Sequence, residues 1–246
     1  GFLENDWLAN TVNPLPAFTW FSYLSYRLFG PWVFYLYQAA LFALAFFSIA
    51  MLLSKVYSLD RSRGLLALFL AGAVLWHSRL VGELTARSEV LDIIPSFMSG
   101  VAIQSAFSSQ FEPAIFGLLL FLAIYLFTTG RPIWASAIVG ITGIFHSAYL
   151  LLGAGLVLAF MVDTWQREHT LSRPLVIGSL ALVLVLPVVI YSRVVLAPTS
   201  GALWERAAHI IVNERIPHHS LPSDWFHKRA AAKLAIIPIA AFVTQD

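Results

Sequence analysis

The chain has 246 residues, of which 59% are hydrophobic and only 11% are charged, and its formal net charge is +2. Because a soluble domain has about 25% charged residues, this composition predicts an integral membrane protein rather than a soluble one. The small net charge and the scattered basic residues argue against a nucleic-acid partner. The chain contains no cysteine, which excludes disulfide bonds and thiolate metal sites.

Long apolar runs separated by polar loops predict an all-α fold, a polytopic transmembrane helical bundle with interfacial helices in its outward-facing loops. A helix needs about 20 apolar residues to cross a bilayer. The predicted spans are residues 31–54, 64–82, 114–130, 132–145, 147–162, 174–192 and 232–246. Residues 132–162 are too many for one crossing at about 1.5 Å per residue, so we divide them into two short helices that meet near His146.

The two ends of the chain are consistent with a larger protein. Nothing after Gly1 has the basic and then apolar build of a signal peptide. The last apolar run, Leu234 to Val243, is shorter than a full span. We therefore expect residues 1–246 to form a single transmembrane domain that is a fragment of a longer polytopic protein.

If each run crosses once, three long polar loops share one side of the membrane: 1–30, 79–113 and 193–233. Each of them has an aromatic or amphipathic segment that predicts an interfacial helix. The opposite loops carry most of the basic residues, in agreement with the positive-inside tendency. Those residues are Lys55, Arg61, Arg63, Arg131, Arg167 and Arg173, whereas Lys228, Arg229 and Lys233 lie on the other side.

Several polar clusters on the shared side are candidate site residues. Glu4 and Asp6 are either a general base and acceptor anchor or an ordinary solvated acid pair. His146 either faces a cavity or partner or caps the helix break through backbone hydrogen bonds. Glu112, which follows Gln110 just before a span, is either a charge at a helix N-terminus or part of a cleft.

A second cluster lies in the last polar loop, where Arg215, His218 and His219 flank a proline. One cation and two imidazoles suit a phosphate or pyrophosphate through charge-assisted hydrogen bonds. Their spacing does not match the HExxH zinc motif, and a plain interfacial loop is the alternative. Arg79, Glu83 and Arg87 recur every four residues and predict ion pairs along a helix; we interpret His77 and His169 as structural.

With these features the chain resembles the GT-C superfamily of multi-spanning glycosyltransferases. In LENDWLAN, Asp6 or Glu4 stands where those proteins have an acidic residue in the first outward loop. The stretch GITGIFHSAYLLL, which contains His146, resembles their glycine-rich short helices, and ERIPHHSLPSDW could correspond to a donor-phosphate region. The resemblance implies transfer of a sugar from a polyprenyl-phosphate donor to an acceptor at the outer face of the bacterial inner membrane. It implies no cofactor, and no ligand set in the sequence supports a divalent metal.

The resulting hypothesis assigns each candidate a role. Asp6, helped by Glu4, acts as base or acceptor anchor. The phosphate leaving group is steadied by a basic cluster, and three further residues line the substrate cleft. The basic cluster is Arg215, His218 and His219, and the cleft residues are Gln110, Glu112 and His146. The expected partners are membrane lipid and the lipid-linked sugar, with no nucleic acid.

Three alternatives remain at this point. A transporter would place ionisable residues near the membrane midplane. An O-antigen polymerase or ligase would also use Arg and His in outward loops. A structural membrane subunit would have no site at all.

Overall fold

The computed structural model describes residues 12–57, 63–76, 110–196 and 200–215, with Leu221 and Ser223. Within these residues the regular structure is helical and no β-strand occurs, which confirms the all-α prediction. The predicted span 232–246, the end of span 64–82 and most of the predicted outward loops lie outside them. The helices are α1 Pro16–Phe29, α2 Val33–Tyr57, α3 Arg63–Trp76, a 3₁₀ helix Pro113–Leu118, α4 Leu119–Thr128, α5 Pro132–Phe145, α6 Tyr149–Glu168, α7 Ser172–Val195, α8 Gly201–Ile210 and a π-helical turn Ile211–Arg215.

The chain divides into two compact units. The first comprises Gly1–Val74 and Ala106–Ala197, and the second comprises Leu75–Ser105 and Pro198–Asp246. In the second unit, α8 begins at Ser200, whose hydroxyl accepts a hydrogen bond from the N–H of Leu203. This is a normal N-cap.

Local sequence explains where several helices begin and end. Proline occupies the first helical position of α1, the 3₁₀ helix and α5, where the missing N–H would have no partner inside the helix. Gly130, with φ of 79°, makes the turn between α4 and α5. Helix α6 runs beyond the predicted end at residue 162 to Glu168, and Asp163 and Arg167, one turn apart in this extension, form an ion pair of 2.8 Å.

Among the described residues, three helices are long and apolar enough to cross a membrane: Val33–Tyr57, Tyr149–Glu168 and Ser172–Val195. Only 28%, 22% and 17% of their apolar windows are buried inside the protein. Most of their hydrophobic surface therefore faces outward, and Leu151, 86% exposed, is an extreme case. Apolar surface of this extent needs a hydrocarbon environment or another protein to cover it.

The first unit has two chemically different ends. We name one of them the Glu112 end. There the ring of Phe111 stacks on Phe34 at the start of α2. Near the end of α7, the hydroxyl of Tyr191 donates a hydrogen bond to the carbonyl of Asn13 at 2.8 Å. At the other, the Lys55 end, Lys55 donates to the carbonyl of Thr128. Helices α2, α4 and α6 therefore run from the Glu112 end to the Lys55 end, and α5 and α7 return.

Among the described residues of the first unit, more basic side chains lie at the Lys55 end than at the Glu112 end. The Lys55 end carries four basic and two acidic residues, namely Lys55, Arg131, Arg167, Arg173, Asp163 and Glu168, whereas the Glu112 end carries Arg27, Arg193 and Glu112. Both acids are paired, the second through a 2.6 Å contact between Arg173 and Glu168. The four basic residues are among those that the crossing count assigns to a single side.

The core lies where α5 packs along α7. Ala135 and Ile177 are fully buried, and the buried hydroxyl of Ser136 donates to the carbonyl of Ile177 at 2.6 Å. A Cβ added at Gly140 would lie 2.8 Å from the Cβ of Leu184. Small residues here let the two backbones approach closely, which is how helices associate in membranes.

This close approach predicts opposite outcomes for two alanine substitutions. Gly140→Ala should lower the stability of the folded protein, because a methyl group overpacks the α5–α7 contact at a cost of about 1–3 kcal/mol. Gly155→Ala, in α6, should leave stability unchanged or raise it, since nothing lies within 4 Å of the new Cβ and alanine favours a helix. Thermal unfolding in detergent micelles measures both, and equal shifts would contradict this packing.

Candidate functional site

The connection between α5 and α6 is built around His146. Its backbone is extended, with φ of −146° and ψ of 109°, and its N–H caps α5 on the carbonyl of Thr142. The Nδ1 atom of its ring accepts a hydrogen bond from the N–H of Ala148 at 3.2 Å. In the neutral ring the proton therefore belongs on Nε2, which makes His146 a hydrogen-bond donor toward its surroundings.

Tyr149 joins this connection to the 3₁₀ helix. Its ring meets that of His146 edge-on, with centroids 5.4 Å apart. Its hydroxyl donates to the carbonyl of Ala114 at 2.7 Å. The ring passes so close to Gly117 that any Cβ there would collide with it, so glycine is required for this contact. The first turn of α6 is thereby fixed to the segment that carries Glu112.

Glu112 immediately precedes the 3₁₀ helix in extended backbone, and its side chain makes no capping hydrogen bond there. Its charge acts on the His146 ring. Burial lowers the pKa of His146 below its ordinary value, and the negative charge of Glu112 opposes that shift in part. The carboxylate and the half-buried imidazole thus form one electrostatic unit, which we name the Glu112–His146 corner.

A platform of aromatic rings supports the corner. Phe145, next to His146, stacks on Phe116 with centroids 4.0 Å apart and an interplanar angle of 8°. Phe21 of α1 meets Phe145 edge-on at 5.3 Å. Phe111, next to Glu112, stacks on Phe18 at 5.7 Å. Both polar residues therefore adjoin ring pairs, each of which contributes about 0.5–1.5 kcal/mol beyond its buried area.

The structure places three predicted site residues at the Glu112 end, namely Gln110, Glu112 and His146. Gln110 is exposed two residues before Glu112. The hydrogen bond from Tyr191 to Asn13 holds the first described residues at this same end. A carboxylate beside an imidazole N–H can bind a hydroxylated ligand, since the first accepts hydrogen bonds and the second donates them.

The other predicted site residues stay predictions. Arg215 ends the π-helical turn of the second unit, and its side chain lies outside the described part. Four more lie outside the described residues altogether: Glu4, Asp6, His218 and His219. Within the described residues, no three histidine or acidic side chains are grouped to hold a metal ion.

Sequence reasoning did not single out Tyr149. Its hydrogen bond joins it to Ala114, 35 residues earlier in the chain, so no local sequence pattern predicts the bond. The one available signal is the Ser147-Ala148-Tyr149 stretch directly after the histidine.

The Tyr149 contact can be tested by removing one oxygen atom. Tyr149→Phe should lower the free energy of unfolding by about 1 kcal/mol, the typical value of one hydrogen bond. Tyr35→Phe is the control, because Tyr35 is 66% exposed and should be neutral. Denaturant unfolding in detergent measures both variants, and a neutral Tyr149→Phe would mean that the bond does not stabilise the corner.

The corner also has a defined pH response. We expect burial to keep the pKa of His146 below that of a solvent-exposed histidine, and we expect this pKa to fall further in Glu112→Gln, which removes the negative charge that raises it. Because the folded-state pKa is the lower one, stability is fully present above the unfolded value and is lost as pH falls through the folded pKa. NMR titration of the ring protons, assigned with His146→Gln, measures the shift. A rise in Glu112→Gln would contradict the coupling.

Comparison of the chain with protein-family models, curated proteins and solved structures gives no significant match.

Proposed function

We propose that this chain is part of a multi-pass integral membrane protein in which α2, α4 with its preceding 3₁₀ helix, α5, α6 and α7 cross the bilayer. The outward-facing apolar surface of the three long helices supports this proposal. The excess of basic residues at the Lys55 end supports an orientation with that end in the cytoplasm. The Glu112 end then faces outward, at the outer surface of a bacterial inner membrane.

We further propose that the Glu112 end is the site of a GT-C type glycosyltransferase, which moves a sugar from a polyprenyl-phosphate donor to a hydroxylated acceptor. The observation that carries the proposal is the Glu112–His146 corner, in which Tyr149 contacts the ring of His146 and bonds to the carbonyl of Ala114, two residues after Glu112. A carboxylate next to an N–H donor on an aromatic platform suits a sugar, whose hydroxyl groups both donate and accept hydrogen bonds.

Charge decides which part of the donor fits at the corner. A phosphate would be repelled by Glu112, since like charges a few ångströms apart cost several kcal/mol at the low effective dielectric of a protein. The sugar therefore lies against Glu112 and His146. The binding of the phosphate is assigned from the sequence alone, to the basic cluster Arg215, His218 and His219, as positive charge for the leaving oxygen.

The proposed reaction has one displacement step. The acceptor oxygen bonds to the anomeric carbon while its proton passes to Asp6, aided by Glu4. The bond from the anomeric carbon to the phosphate oxygen breaks, and its electron pair leaves with the polyprenyl phosphate. The configuration at the anomeric carbon inverts, and no cofactor or metal enters the step.

The distribution of charge disfavours a transporter. In α2, α6 and α7 the charged residues occupy the helix ends: Lys55, Asp163, Arg167, Glu168, Arg173 and Arg193. A transporter site is expected near the midplane instead.

The proposal is tested by substituting carboxylates at both ends of the bundle. In nanodiscs supplied with polyprenyl-phosphate-linked radiolabelled sugar, Asp6→Asn should reduce transfer about 10²–10⁴-fold, the range for loss of a general base. Glu112→Gln should reduce it about 10–100-fold, since a hydrogen bond to a charged group contributes about 1.5–3 kcal/mol.

Asp163→Asn is the control, because Asp163 lies at the Lys55 end and pairs with Arg167. Transfer by this variant should match that of the unsubstituted protein. Full activity in Asp6→Asn would remove Asp6 from the mechanism, and absence of transfer by the unsubstituted protein would refute the proposed activity.

A further inference from the structure

Two cations at the Lys55 end are not neutralised by neighbouring acids. Four basic residues lie at this end, but Arg167 and Arg173 are paired with acidic residues of α6. The other two are Lys55 and Arg131, and neither forms an ion pair with any residue that the structure describes. We name these two residues the Lys55–Arg131 site. The net positive charge of this end is therefore concentrated on them.

A hydrogen bond brings the two side chains to one turn of backbone. The ammonium of Lys55, in the last turn of α2, donates to the carbonyl of Thr128 at the end of α4. Arg131 follows Thr128 by three residues, and its N–H donates back to the carbonyl of Leu126 at 2.9 Å. Since consecutive Cα atoms are about 3.8 Å apart, the Cα atoms of Thr128 and Arg131 are at most about 11 Å apart.

Both side chains keep hydrogen-bond donors for a ligand. A lysine ammonium has three N–H donors and an arginine guanidinium has five. The contact with Thr128 uses one donor of Lys55, whereas the guanidinium of Arg131 donates to no residue in the described part of the chain. Both side chains are exposed. Exposed Lys and Arg donors suit a phosphate group, whose oxygens accept charge-assisted hydrogen bonds.

An exposed tryptophan indicates the depth of this site in a bilayer. Trp134 lies in the first turn of α5, three residues after Arg131, and is 68% exposed. Tryptophan is enriched at the interface between hydrocarbon and headgroups. Lys55 ends α2, which is long and apolar enough to cross a membrane, and lysine at the end of a span extends its ammonium to the interface. If α2 crosses a bilayer, the Lys55–Arg131 site lies at the level of the lipid phosphates.

The charge of the site selects among lipid headgroups. The headgroup of phosphatidylcholine carries a quaternary ammonium next to its phosphate, and two nearby cations repel that group. Phosphatidylglycerol has the same phosphate followed by uncharged hydroxyl groups, so its headgroup keeps a net negative charge. An anionic lipid is attracted to Lys and Arg at a membrane surface.

We propose that Lys55 and Arg131 bind the phosphate of an anionic phospholipid in the leaflet that covers the Lys55 end. Because Lys55 belongs to α2 and Arg131 directly precedes α5, the bound headgroup joins the end of one helix to the start of another. The inference rests on the proposed membrane crossing of these helices. It does not depend on the proposed transfer of sugar.

Native mass spectrometry of the full chain in dodecyl maltoside micelles tests the site. The protein is titrated with phosphatidylglycerol or phosphatidylcholine, and the bound lipids are counted. We expect one phosphatidylglycerol to be retained saturably at concentrations at which phosphatidylcholine is not. Equal retention of the two lipids would overturn the proposal.

Three glutamine variants locate the site. Lys55→Gln and Arg131→Gln should each weaken the binding of phosphatidylglycerol about fivefold, which corresponds to about 1 kcal/mol for one Lys or Arg near an anionic lipid surface. Arg193→Gln is the control, because it removes the same charge from an exposed position at the Glu112 end, and it should bind as the unsubstituted protein does. Equal weakening in all three variants would show that overall charge retains the lipid, and would overturn the site.

Two conservative variants separate charge from folding. Lys55→Arg and Arg131→Lys keep both cations and should retain most of the binding. Circular dichroism and thermal unfolding establish that every variant folds. Folded conservative variants that bind as weakly as the glutamine variants would contradict a site based on these charges.

The source of the phosphate is tested with sn-glycerol 1-phosphate, which has the phosphate ester but no chains. At the same concentration it should not displace phosphatidylglycerol. Displacement would assign the site to a soluble phosphate ester and would overturn the lipid proposal.

Lipid binding and sugar transfer fail separately in these experiments. Selective retention of phosphatidylglycerol by a protein that transfers no sugar supports the Lys55–Arg131 site and refutes the proposed activity. Sugar transfer by a protein that retains both lipids equally does the reverse.

Discussion

The cost of placing a charged side chain in hydrocarbon is the constraint on which the rest of this structure depends. Even the lower values for a charge at the bilayer centre are about 2.5–3.5 kcal/mol. The charged residues of α2, α6 and α7 accordingly lie near the helix ends. What remains between the ends is apolar, so specificity of packing comes from small residues and a few internally satisfied hydroxyls such as that of Ser136.

The same constraint makes the ionisable side chains of the Glu112–His146 corner unusual in this apolar unit. Glu112 and His146 lie at one end of an otherwise apolar bundle, where Tyr149 fixes the α5–α6 connection to the 3₁₀ helix and the charge of Glu112 acts on the imidazole. Stacked phenylalanines hold both segments in place. Tyr149 also lines an apolar cavity between α5, α6 and α7. One residue therefore contacts both the His146 ring and the apolar interior of the first unit.

Many helix bounds follow from the sequence pattern, because the length of an apolar run and the positions of proline and glycine are local signals. The turn at Gly130 and the break at His146 were both predictable in this way. The α6 extension to Glu168 was not, since the residues from Asp163 to Glu168 are mostly polar and lie beyond the apolar run that set the predicted end. The site was only partly predictable. Polar residues in apolar surroundings made Glu112 and His146 candidates, but the ring contacts and the Tyr149 bond join residues that are distant in sequence.

Sidedness is the central claim, and the absence of cysteine from the chain makes it directly measurable. Single cysteines are introduced by substitution and labelled with a membrane-impermeant maleimide in sealed, oriented vesicles. We predict that Ala148→Cys reacts from one side and that Thr129→Cys and His169→Cys react only from the other. Asp6→Cys and His218→Cys should react from the same side as Ala148→Cys. Reaction of Ala148→Cys and Thr129→Cys from a single side would contradict the account.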